Sequence, residues 1–386
     1  MKSRLRSLSA LLLALAMAVS VLSTGAFAAT SGNVKSYKNY LALGDSIGSG
    51  FGQPAYNQYN RMVVWGQRIP GSYADLVAKA TKSNLQMLCM PGYTTACLRY
   101  ELDDNFTLHD WEIQELSNFT YGAYDQAFLD QMRGTFRNAI RKADLISLDI
   151  GINDTWYSTI ALIYYIAESA NNENLKYGDT RGTLEYELQQ YGSMGAVSRN
   201  ALAYLDGFAT NPTQWARFWA LWAQNLSGYL TAFKENYDAI VKGIYRYNPN
   251  ATIVAVGGYN PYKDWKILPI DGLHAKLVIS DNVTNVNIPV LGEVDIPGTF
   301  NLRTGIAAVP QTMYDLFNAT RESYTAKYPG QYYYAAVPDT EMIGGLSVSL
   351  YEFSSLDDSG FNPHPTAAGH QYMADQIIGA LPSRNR

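Results

Sequence analysis

The sequence predicts an α/β protein in which helices cover both faces of a parallel β-sheet. Five short runs rich in apolar and β-branched residues have the length and composition of buried strands. These runs cover residues 40–43, 85–90, 145–150, 252–256 and 332–337. Segments with helical periodicity separate them, as at residues 73–80, 126–141 and 229–247. Near-continuous apolar strands that alternate with helices are typical of a parallel sheet buried on both sides.

Two stretches break this alternation, and we interpret them as insertions into one domain that spans residues 29–386. The first, at about residues 155–225, is helical and aromatic, and the second, at about residues 263–305, has the Pro, Gly and Asn content of hairpins or loops. One helical face of the first insertion carries four aromatic residues, Trp215, Phe218, Trp219 and Trp222. The sequence leaves open whether this stripe packs into the core or forms a wall over a cleft.

The composition indicates a globular protein with a large core. The chain has 386 residues, of which 47% are hydrophobic and 16% are charged, so it lies outside the range of disordered and collagen-like proteins. Lys and Arg number 29 and Asp and Glu number 34, which gives a formal net charge of −5. Because no excess of cations is available to replace the counterions of phosphates, we expect no nucleic-acid partner.

The N-terminus has the pattern of a secretory signal peptide. A cationic start over residues 2–6 precedes an apolar run over residues 8–22, and Ala26 and Ala28 supply the small residues that a signal peptidase requires. The apolar run is shorter than the ~20 residues of a membrane-spanning helix. We therefore predict a signal peptide over residues 1–28, cleaved near Ala28, and a mature chain that is secreted without a stable membrane anchor.

The cysteine content excludes a disulfide framework. Only Cys89 and Cys97 are present, and in an exported chain they could form one short-loop disulfide or remain as two thiols. The sequence has no His/Cys cluster with metal-ligand spacing and no loop with the order of calcium ligands. We therefore expect no metal site.

A candidate nucleophile follows the first predicted strand, in the segment Gly44-Asp45-Ser46-Ile47-Gly48. Glycines on both sides of a serine at a strand end permit a sharp turn that exposes the hydroxyl above the sheet. The segment also fits the G-x-S-x-G pattern of α/β-hydrolases and resembles the stretch around the serine-protease nucleophile.

The order of residues along the chain disfavours both of these families. The first histidine, His109, follows Ser46, whereas the serine proteases have their catalytic histidine before the serine. Residues 29–45 leave little room for the earlier strand whose loop supplies part of the oxyanion hole in α/β-hydrolases.

Three further segments lie after later predicted strands or near the C-terminus. They are Met90-Pro91-Gly92-Tyr93-Thr94-Thr95, Gly151-Ile152-Asn153-Asp154 and Asn362-Pro363-His364-Pro365-Thr366. Together with the segment around Ser46, they resemble the motifs of the GDSL, or SGNH, hydrolase superfamily. Ser46, Gly92, Asn153 and His364 match its four named residues in order.

The resemblance implies the fold in more detail. It implies a three-layer α/β/α, flavodoxin-like fold with a parallel five-stranded sheet in the order 2-1-3-4-5, to which helical and hairpin insertions are added. In that order the ends of the first and third strands flank the topological switch point, where a crevice opens at the carboxyl ends of the strands. Ser46 and Asn153 would meet in that crevice.

The resemblance also implies a role for each matched residue. Ser46 would attack an ester carbonyl after neutral His364 takes its hydroxyl proton. The backbone N–H groups of Ser46 and Gly92 and the side-chain amide of Asn153 would bind the resulting oxyanion. This chemistry requires no cofactor. We expect Asp45 and Asp154 to brace their turns through hydrogen bonds rather than to act as acids.

One position departs from the family pattern. Phe361 replaces the aspartate that usually stands three residues before the catalytic histidine. Asp358 and Asp357 lie six and seven residues before His364, and Asp358 is our candidate for the carboxylate that orients the imidazole. Asp357 and a backbone carbonyl remain alternatives.

The other histidines receive no catalytic role. His274 follows Asp271 at the Asp-x-x-His spacing, but it lies in the second insertion and lacks the following proline. His370 is expected on the terminal helix as a surface or packing residue.

These observations predict a secreted serine esterase that forms an acyl-enzyme on Ser46. A lipase that acts on lipid acyl esters and an esterase that removes acetyl groups from carbohydrates are both compatible with the aromatic insertions. The alternative is a catalytically inactive secreted glycan-binding protein on a hydrolase scaffold. The intact set of Ser46, Gly92, Asn153 and His364 disfavours that alternative.

Overall fold

A five-stranded parallel sheet forms the centre of the fold. The computed structural model describes residues 34–51, 53–58, 68–110, 113, 125–169, 204, 212–259, 283–288, 292–297, 302–337, 340–343, 346–349 and 364–383. The strands in chain order are β1 (Asn39–Gly44), β2 (Asn84–Cys89), β3 (Leu145–Asp149), β4 (Thr252–Val256), β5 (Val283–Ile288), β6 (Gly292–Pro297), β7 (Tyr332–Ala335), β8 (Thr340–Ile343) and β9 (Leu346–Ser349). The central sheet has the order β2-β1-β3-β4-β7, and each neighbouring pair is parallel. The predicted order 2-1-3-4-5 is therefore confirmed, with β7 as the fifth strand.

Helices cover both faces of this sheet. Those of the described residues are α1 (Pro54–Gln58), α2 (Tyr73–Thr81), α3 (Thr95–Leu102), α4 (Gln126–Lys142), α5 (Ile152–Ser169), α6 (Pro212–Tyr247), α7 (Leu302–Lys327) and α8 (Ala367–Ala380). Helices α3 to α7 share one hydrophobic core with the sheet. Helices α2 and α8 share the other core, on the opposite face. The structure thus has the three α/β/α layers that the sequence predicts.

The strands of the central sheet are mostly apolar because they supply both cores. Successive side chains of a strand point to opposite faces. Leu88 and Leu148 accordingly lie in the core beside α3 to α7, whereas Met87 and Val254 lie in the core beside α2 and α8. All four side chains are at most 2% exposed, so each removes apolar area from water.

The two cysteines lie on opposite sides of the sheet. Cys89, at the end of β2, belongs to the core beside α2 and α8. Cys97, on α3, belongs to the other core. Both remain buried thiols that are not joined in a disulfide. The position of each thiol within a separate layer accounts for the absence of the bond that their sequence spacing would permit.

The first predicted insertion leads into a helix that is longer than the sequence suggested. The periodic segment at residues 229–247 is the C-terminal part of α6, which already begins at Pro212. The predicted end of the insertion near residue 225 therefore falls inside one continuous helix. Of the aromatic stripe, Phe218 is 2% exposed and lies in the core; the side chains of Trp215, Trp219 and Trp222 lie outside the described part.

The second predicted insertion contains a β-hairpin. Strands β5 and β6 pair in antiparallel fashion, with Val283 opposite Pro297 and Ile288 opposite Gly292. Residues 260–282, which include His274, lie outside the described residues, as does the predicted signal peptide. Among the described residues, no helix is long and apolar enough to cross a membrane.

Candidate active site

The turn that carries Ser46 begins where β1 ends, between the ends of its two neighbouring strands. Gly44 is in register with Cys89 of β2 and with Asp149 of β3. Past the last strand residue, the Asp45 N–H donates to the Asp149 carbonyl at 3.1 Å, and the Met90 N–H donates to the Gly44 carbonyl at 2.9 Å. The carboxyl ends of three strands therefore hold the start of the turn.

Hydrogen bonds within the turn fix its shape. The Asp45 carboxylate accepts from the Ile47 N–H at 3.0 Å, which is the bracing role expected from the sequence. The Ser46 carbonyl accepts from the Ser49 hydroxyl at 2.8 Å and from the Phe51 N–H at 3.0 Å. Ser46 is consequently held in one conformation and is only 8% exposed.

His364 meets the candidate nucleophile directly. Its Nε2 lies 2.8 Å from the Ser46 Oγ, at the distance of a hydrogen bond. The imidazole lies just before α8, whose first turn is capped by the Thr366 hydroxyl as it accepts from the Gly369 N–H at 3.1 Å. The ring also lies against Phe51, with 4.4 Å between the ring centroids.

The environment of His364 favours its neutral form. Burial lowers the pKa of the imidazole well below the usual value of a histidine, and the neighbouring His370 lowers it further. A neutral imidazole has an acceptor nitrogen, which a general base requires.

Gly92 lies on the loop after β2, and Asn153 lies in the first turn of α5, at the same edge of the sheet. The loop after β2 turns at Gly92, which has a φ of 82°, a left-handed value that favours glycine. The Tyr93 N–H closes this turn by donating to the Met90 carbonyl at 3.0 Å. The Asn153 side-chain amide then donates to the Tyr93 carbonyl at 2.8 Å, so the orientation of the amide depends on the Gly92 loop.

The Asp154 carboxylate connects the start of α5 to the segment after Gly92 at a second point. Asp154 accepts from the Thr95 N–H at 2.9 Å and also from the Thr95 hydroxyl. Thr95 is the first residue of α3 and is fully buried. Asp154 thus has the bracing role expected of it, but its hydrogen bonds are made to the first residue of α3.

Buried charges lie beneath this edge of the sheet. Arg321 of α7 is 1% exposed and donates to the Ile150 carbonyl and, at 2.9 Å, to the Asn318 side chain. Burial raises the pKa of both Asp45 and Asp149, and the positive charge of Arg321 opposes that rise. Arg321 therefore compensates part of the buried negative charge and also holds the segment that leads to Asn153.

The structure brings two of the predicted site residues into contact and places two more on the adjoining loop after β2 and the start of α5. Ser46 and His364 are in contact, and Gly92 and Asn153 are linked through Tyr93. The candidate orienting residues Asp358 and Asp357 lie outside the described residues.

His370 has the packing role rather than the surface position. It is fully buried on α8, and its Nδ1 accepts from the Tyr73 N–H at 3.2 Å. The surface alternative considered from the sequence is wrong because α8 turns this side chain toward α2.

Sequence reasoning missed three residues that support the site: Phe51, Thr95 and Arg321. Thr95 ends the Gly92 motif and Phe51 lies three residues after Gly48, so their proximity in sequence was a usable signal. Arg321 carries no such signal, because it reaches the site only through the packing of α7 on the sheet.

Comparisons with known proteins find distant structural likenesses. No protein-family model matches the sequence, and a search of curated proteins finds no match. The extracellular lipase of Streptomyces rimosus is 16% identical with a TM-score of 0.41, over 89% of this chain and all 100% of that one. The phospholipase A1 of Streptomyces albidoflavus NA297 is 16% identical with a TM-score of 0.42, over 90% of this chain and 100% of that one.

Other solved structures with a likeness to this chain include a GDSL-like lipase of Parabacteroides merdae ATCC 43184. It is 13% identical with a TM-score of 0.28, over 90% of this chain and 97% of that one. Family two carbohydrate esterases are found as well. At such identities and TM-scores we infer the chemistry of the site from its own geometry.

Proposed function

We propose that this chain is a secreted serine esterase that hydrolyses carboxylic esters through an acyl-enzyme on Ser46. The observation that carries the proposal is the 2.8 Å distance between the Ser46 Oγ and the His364 Nε2. A serine hydroxyl is a weak nucleophile until an adjacent base accepts its proton. A neutral imidazole at hydrogen-bond distance is such a base.

The first step is attack of the Ser46 Oγ on the ester carbonyl. As the new C–O bond forms, the hydroxyl proton moves to the His364 Nε2, and the carbonyl π electrons move onto the oxygen. The lowered pKa of His364 leaves the imidazole neutral, and so able to accept this proton, at neutral and mildly acidic pH.

The second requirement is a set of donors for the developing oxyanion. We assign this role to the backbone N–H groups of Ser46 and Gly92 and to the side-chain amide of Asn153. One proton on the Asn153 nitrogen is directed at the Tyr93 carbonyl, which orients the amide. The second proton on that nitrogen would then be donated to the oxyanion.

Collapse of the tetrahedral intermediate releases the alcohol. The protonated His364 donates its Nε2 proton to the leaving oxygen as the C–O bond breaks, which leaves an acyl group on Ser46. Water then attacks the acyl carbonyl while the His364 Nε2 accepts one of its protons. The bond between the acyl carbon and the Ser46 Oγ breaks as the imidazolium returns that proton to Oγ, and the carboxylic acid is released. No step requires a cofactor or a metal.

The imidazole needs a partner that fixes its tautomer. We propose Asp358, with Asp357 and a backbone carbonyl as alternatives. Such a partner would accept a hydrogen bond from the Nδ1–H and leave the Nε2 lone pair toward Ser46. Phe51 supports the same ring through packing.

We further propose secretion after cleavage of residues 1–28, and a substrate that is a small-molecule, lipid or polysaccharide ester rather than a nucleic acid. Lipid acyl esters and carbohydrate acetyl esters are the two substrate classes. They differ in the length of the acyl chain that must fit beside Ser46, so the chain-length preference separates them.

The test uses the mature protein, residues 29–386, and p-nitrophenyl esters from acetate through butyrate to longer chains. We expect turnover by the wild type and its loss in Ser46→Ala. The matched control is Ser83→Ala, which makes the same change at the opposite edge of the sheet, where Ser83 bonds to Thr81. Absence of turnover on every ester would reject the esterase and favour the inactive glycan-binding alternative. Equal turnover by Ser46→Ala would reject the acyl-enzyme on Ser46.

A further inference from the structure

Thr95, the first residue of α3, and Asp154, in the first turn of α5, join the two segments that carry two of the assigned oxyanion donors. Thr95 follows Gly92 by three residues, and Asp154 directly follows Asn153. The Asp154 carboxylate accepts from the Thr95 backbone N–H at 2.9 Å with one oxygen and from the Thr95 hydroxyl with the other. Both oxygens of one carboxylate thus accept hydrogen bonds from the first residue of α3.

The direction of these hydrogen bonds is fixed by a chain of donors. Arg99 can only donate, and its Nη1 donates to the Asn236 Oδ1 at 3.1 Å. This places the amide nitrogen of Asn236 toward Thr95, whose hydroxyl oxygen accepts from it at 3.2 Å. The single proton of the Thr95 hydroxyl is then available for Asp154.

The chain of donors also connects the site to α6. Asn236 lies on α6, so helices α3, α5 and α6 meet at the Thr95 hydroxyl. Thr95 is fully buried, and Asp154 is half-buried. An unsatisfied hydrogen-bonding group costs free energy when it is buried, so these bonds favour a single arrangement of the two segments.

We propose that the Asp154–Thr95 pair is a strut that sets the spacing of the Gly92 and Asn153 oxyanion donors. Both residues are positioning residues, since they act through their neighbours and not on the substrate. The inference rests on the proposed esterase function. It goes beyond it by assigning the preorganisation of the oxyanion hole to two specific side chains.

The strut is expected to affect catalysis more than substrate binding. The oxyanion forms only as the transition state is approached, so donors held in place beforehand lower the barrier without tightening ground-state binding. A misplacement of about 1 Å can reduce a rate by about 10²-fold. Loss of the strut should therefore lower kcat and leave KM nearly unchanged.

The decisive variant is Thr95→Val, which removes the hydroxyl and preserves the shape and the backbone N–H. We expect kcat for p-nitrophenyl acetate to fall by about 10- to 100-fold, with KM within about twofold of wild type. Thr95→Ser restores the hydroxyl and should keep kcat within about threefold of wild type, because the bond to Asp154 is retained.

The matched control is Thr81→Val. Thr81 is also fully buried, and its hydroxyl is bonded to the Val77 carbonyl at 2.7 Å, at the far end of α2. The change removes the same group from an equally buried site, so it should lower the melting temperature without lowering kcat. A similar loss of kcat in Thr81→Val and Thr95→Val would attribute the effect to stability and overturn the proposal.

The remaining outcomes distinguish failure of the strut proposal from failure of the proposed esterase function. A wild type without turnover rejects the esterase and, with it, the strut. Wild-type turnover with an unchanged kcat in Thr95→Val, or a lost kcat that Thr95→Ser does not restore, rejects the strut alone.

Hydrogen exchange of backbone amides tests, independently of activity, whether the Asp154–Thr95 pair holds the two segments together. In Thr95→Val, we expect faster exchange over residues 92–97 and 150–156 and unchanged exchange in β4. If exchange over both segments is as slow in Thr95→Val as in the wild type, the proposal is overturned, because other contacts would then hold these segments in place.

Discussion

The ring of Phe51 lies against the imidazole of His364, with 4.4 Å between the centroids and 33° between the ring planes. The backbone N–H of Phe51 donates to the Ser46 carbonyl at 3.0 Å. One residue therefore contacts both members of the proposed catalytic pair, through its main chain on one side and its side chain on the other. Phe51 therefore helps to fix the position of Ser46 and also shields the imidazole of His364, the proposed base, from water.

Replacement of Phe51 by leucine should move the acid limb of the pH profile. Burial lowers the pKa of His364, so kcat/KM of the wild type should persist well below pH ~6.5, the ordinary value for histidine. In Phe51→Leu, water reaches the imidazole, its pKa rises toward that value, and kcat/KM should fall at a higher pH than in the wild type. Kinetics between pH 4 and 8 measure the shift.

Selective isotope labelling of histidine gives a second readout of the same pKa. The chain has 4 histidines, so His364→Asn identifies the His364 resonance by its disappearance. A titration midpoint that is the same in the wild type and in Phe51→Leu would contradict the role of Phe51.

Removal of the Asn153 amide should reduce the rate of the chemical step. In Asn153→Ala we expect kcat to fall by about 10²–10³-fold, the usual effect of losing one oxyanion donor, with a smaller change in KM. Steady-state kinetics on p-nitrophenyl acetate provide the measurement. An effect confined to KM would place Asn153 in substrate binding instead.

A methyl group at Gly151 should destabilise the fold. The residue has a φ of 119°, and an added Cβ would lie 2.7 Å from the Arg321 Nη2 and 2.8 Å from the Phe233 Cε2. Gly151→Ala should therefore cost about 1–3 kcal/mol in the free energy of unfolding, from backbone strain together with the steric overlap.

Gly134→Ala is the matched control for this change. Gly134 lies within α4, and a Cβ built on it meets no atom within 4 Å. The same substitution should stabilise the protein by about 0.5–1 kcal/mol, because alanine is the better helix former. Urea unfolding of both variants checks the sign, and equal effects would refute the close approach of Arg321 to Gly151.

The buried His370 should make the fold sensitive to acid. Its Nδ1 accepts from the Tyr73 N–H, which requires the neutral imidazole, and burial lowers its pKa to about 3. The unfolded chain, with a histidine pKa of ~6.5, binds the proton more readily. The contribution of His370 is therefore complete above pH ~6.5 and is lost as the pH falls toward 3.

The His370→Asn variant tests this contribution. It should be less stable than the wild type at pH 7, because packing and the Tyr73 bond are disturbed, and it should lose less stability between pH 7 and pH 5. Urea unfolding at the two pH values provides the comparison. An equal loss in both proteins would show that other groups cause the acid sensitivity.

The central sheet could be predicted from the sequence because its strands carry a strong local signal. The run at residues 145–150 became β3 with a difference of one residue at its end, since a strand buried on both faces is mostly apolar. Ser147 and Asp149 interrupt the run and are buried as well. The full extent of α6 was harder to predict. Its N-terminal part falls in a stretch rich in aromatic residues, where the helical period alone did not mark the first residue of the helix.

The candidate site was partly predictable for a related reason. Ser46, Gly92 and Asn153 lie within a few residues of the ends of three parallel strands, so their place at one edge follows from the parallel topology. The contacts of Arg321 and His370 depend on how α7 and α8 pack against the sheet. The packing of these two helices depends on side chains from the whole core, so a local sequence motif does not predict it.

The activation of Ser46 by His364 is tested most directly by the rate at which a fluorophosphonate ester modifies the mature protein. We expect one adduct per chain, located by peptide mass spectrometry on Ser46, and a rate about 10²–10⁴-fold lower in His364→Asn, the usual contribution of a general base. An adduct on a different residue, or an equal rate in His364→Asn, would contradict the account.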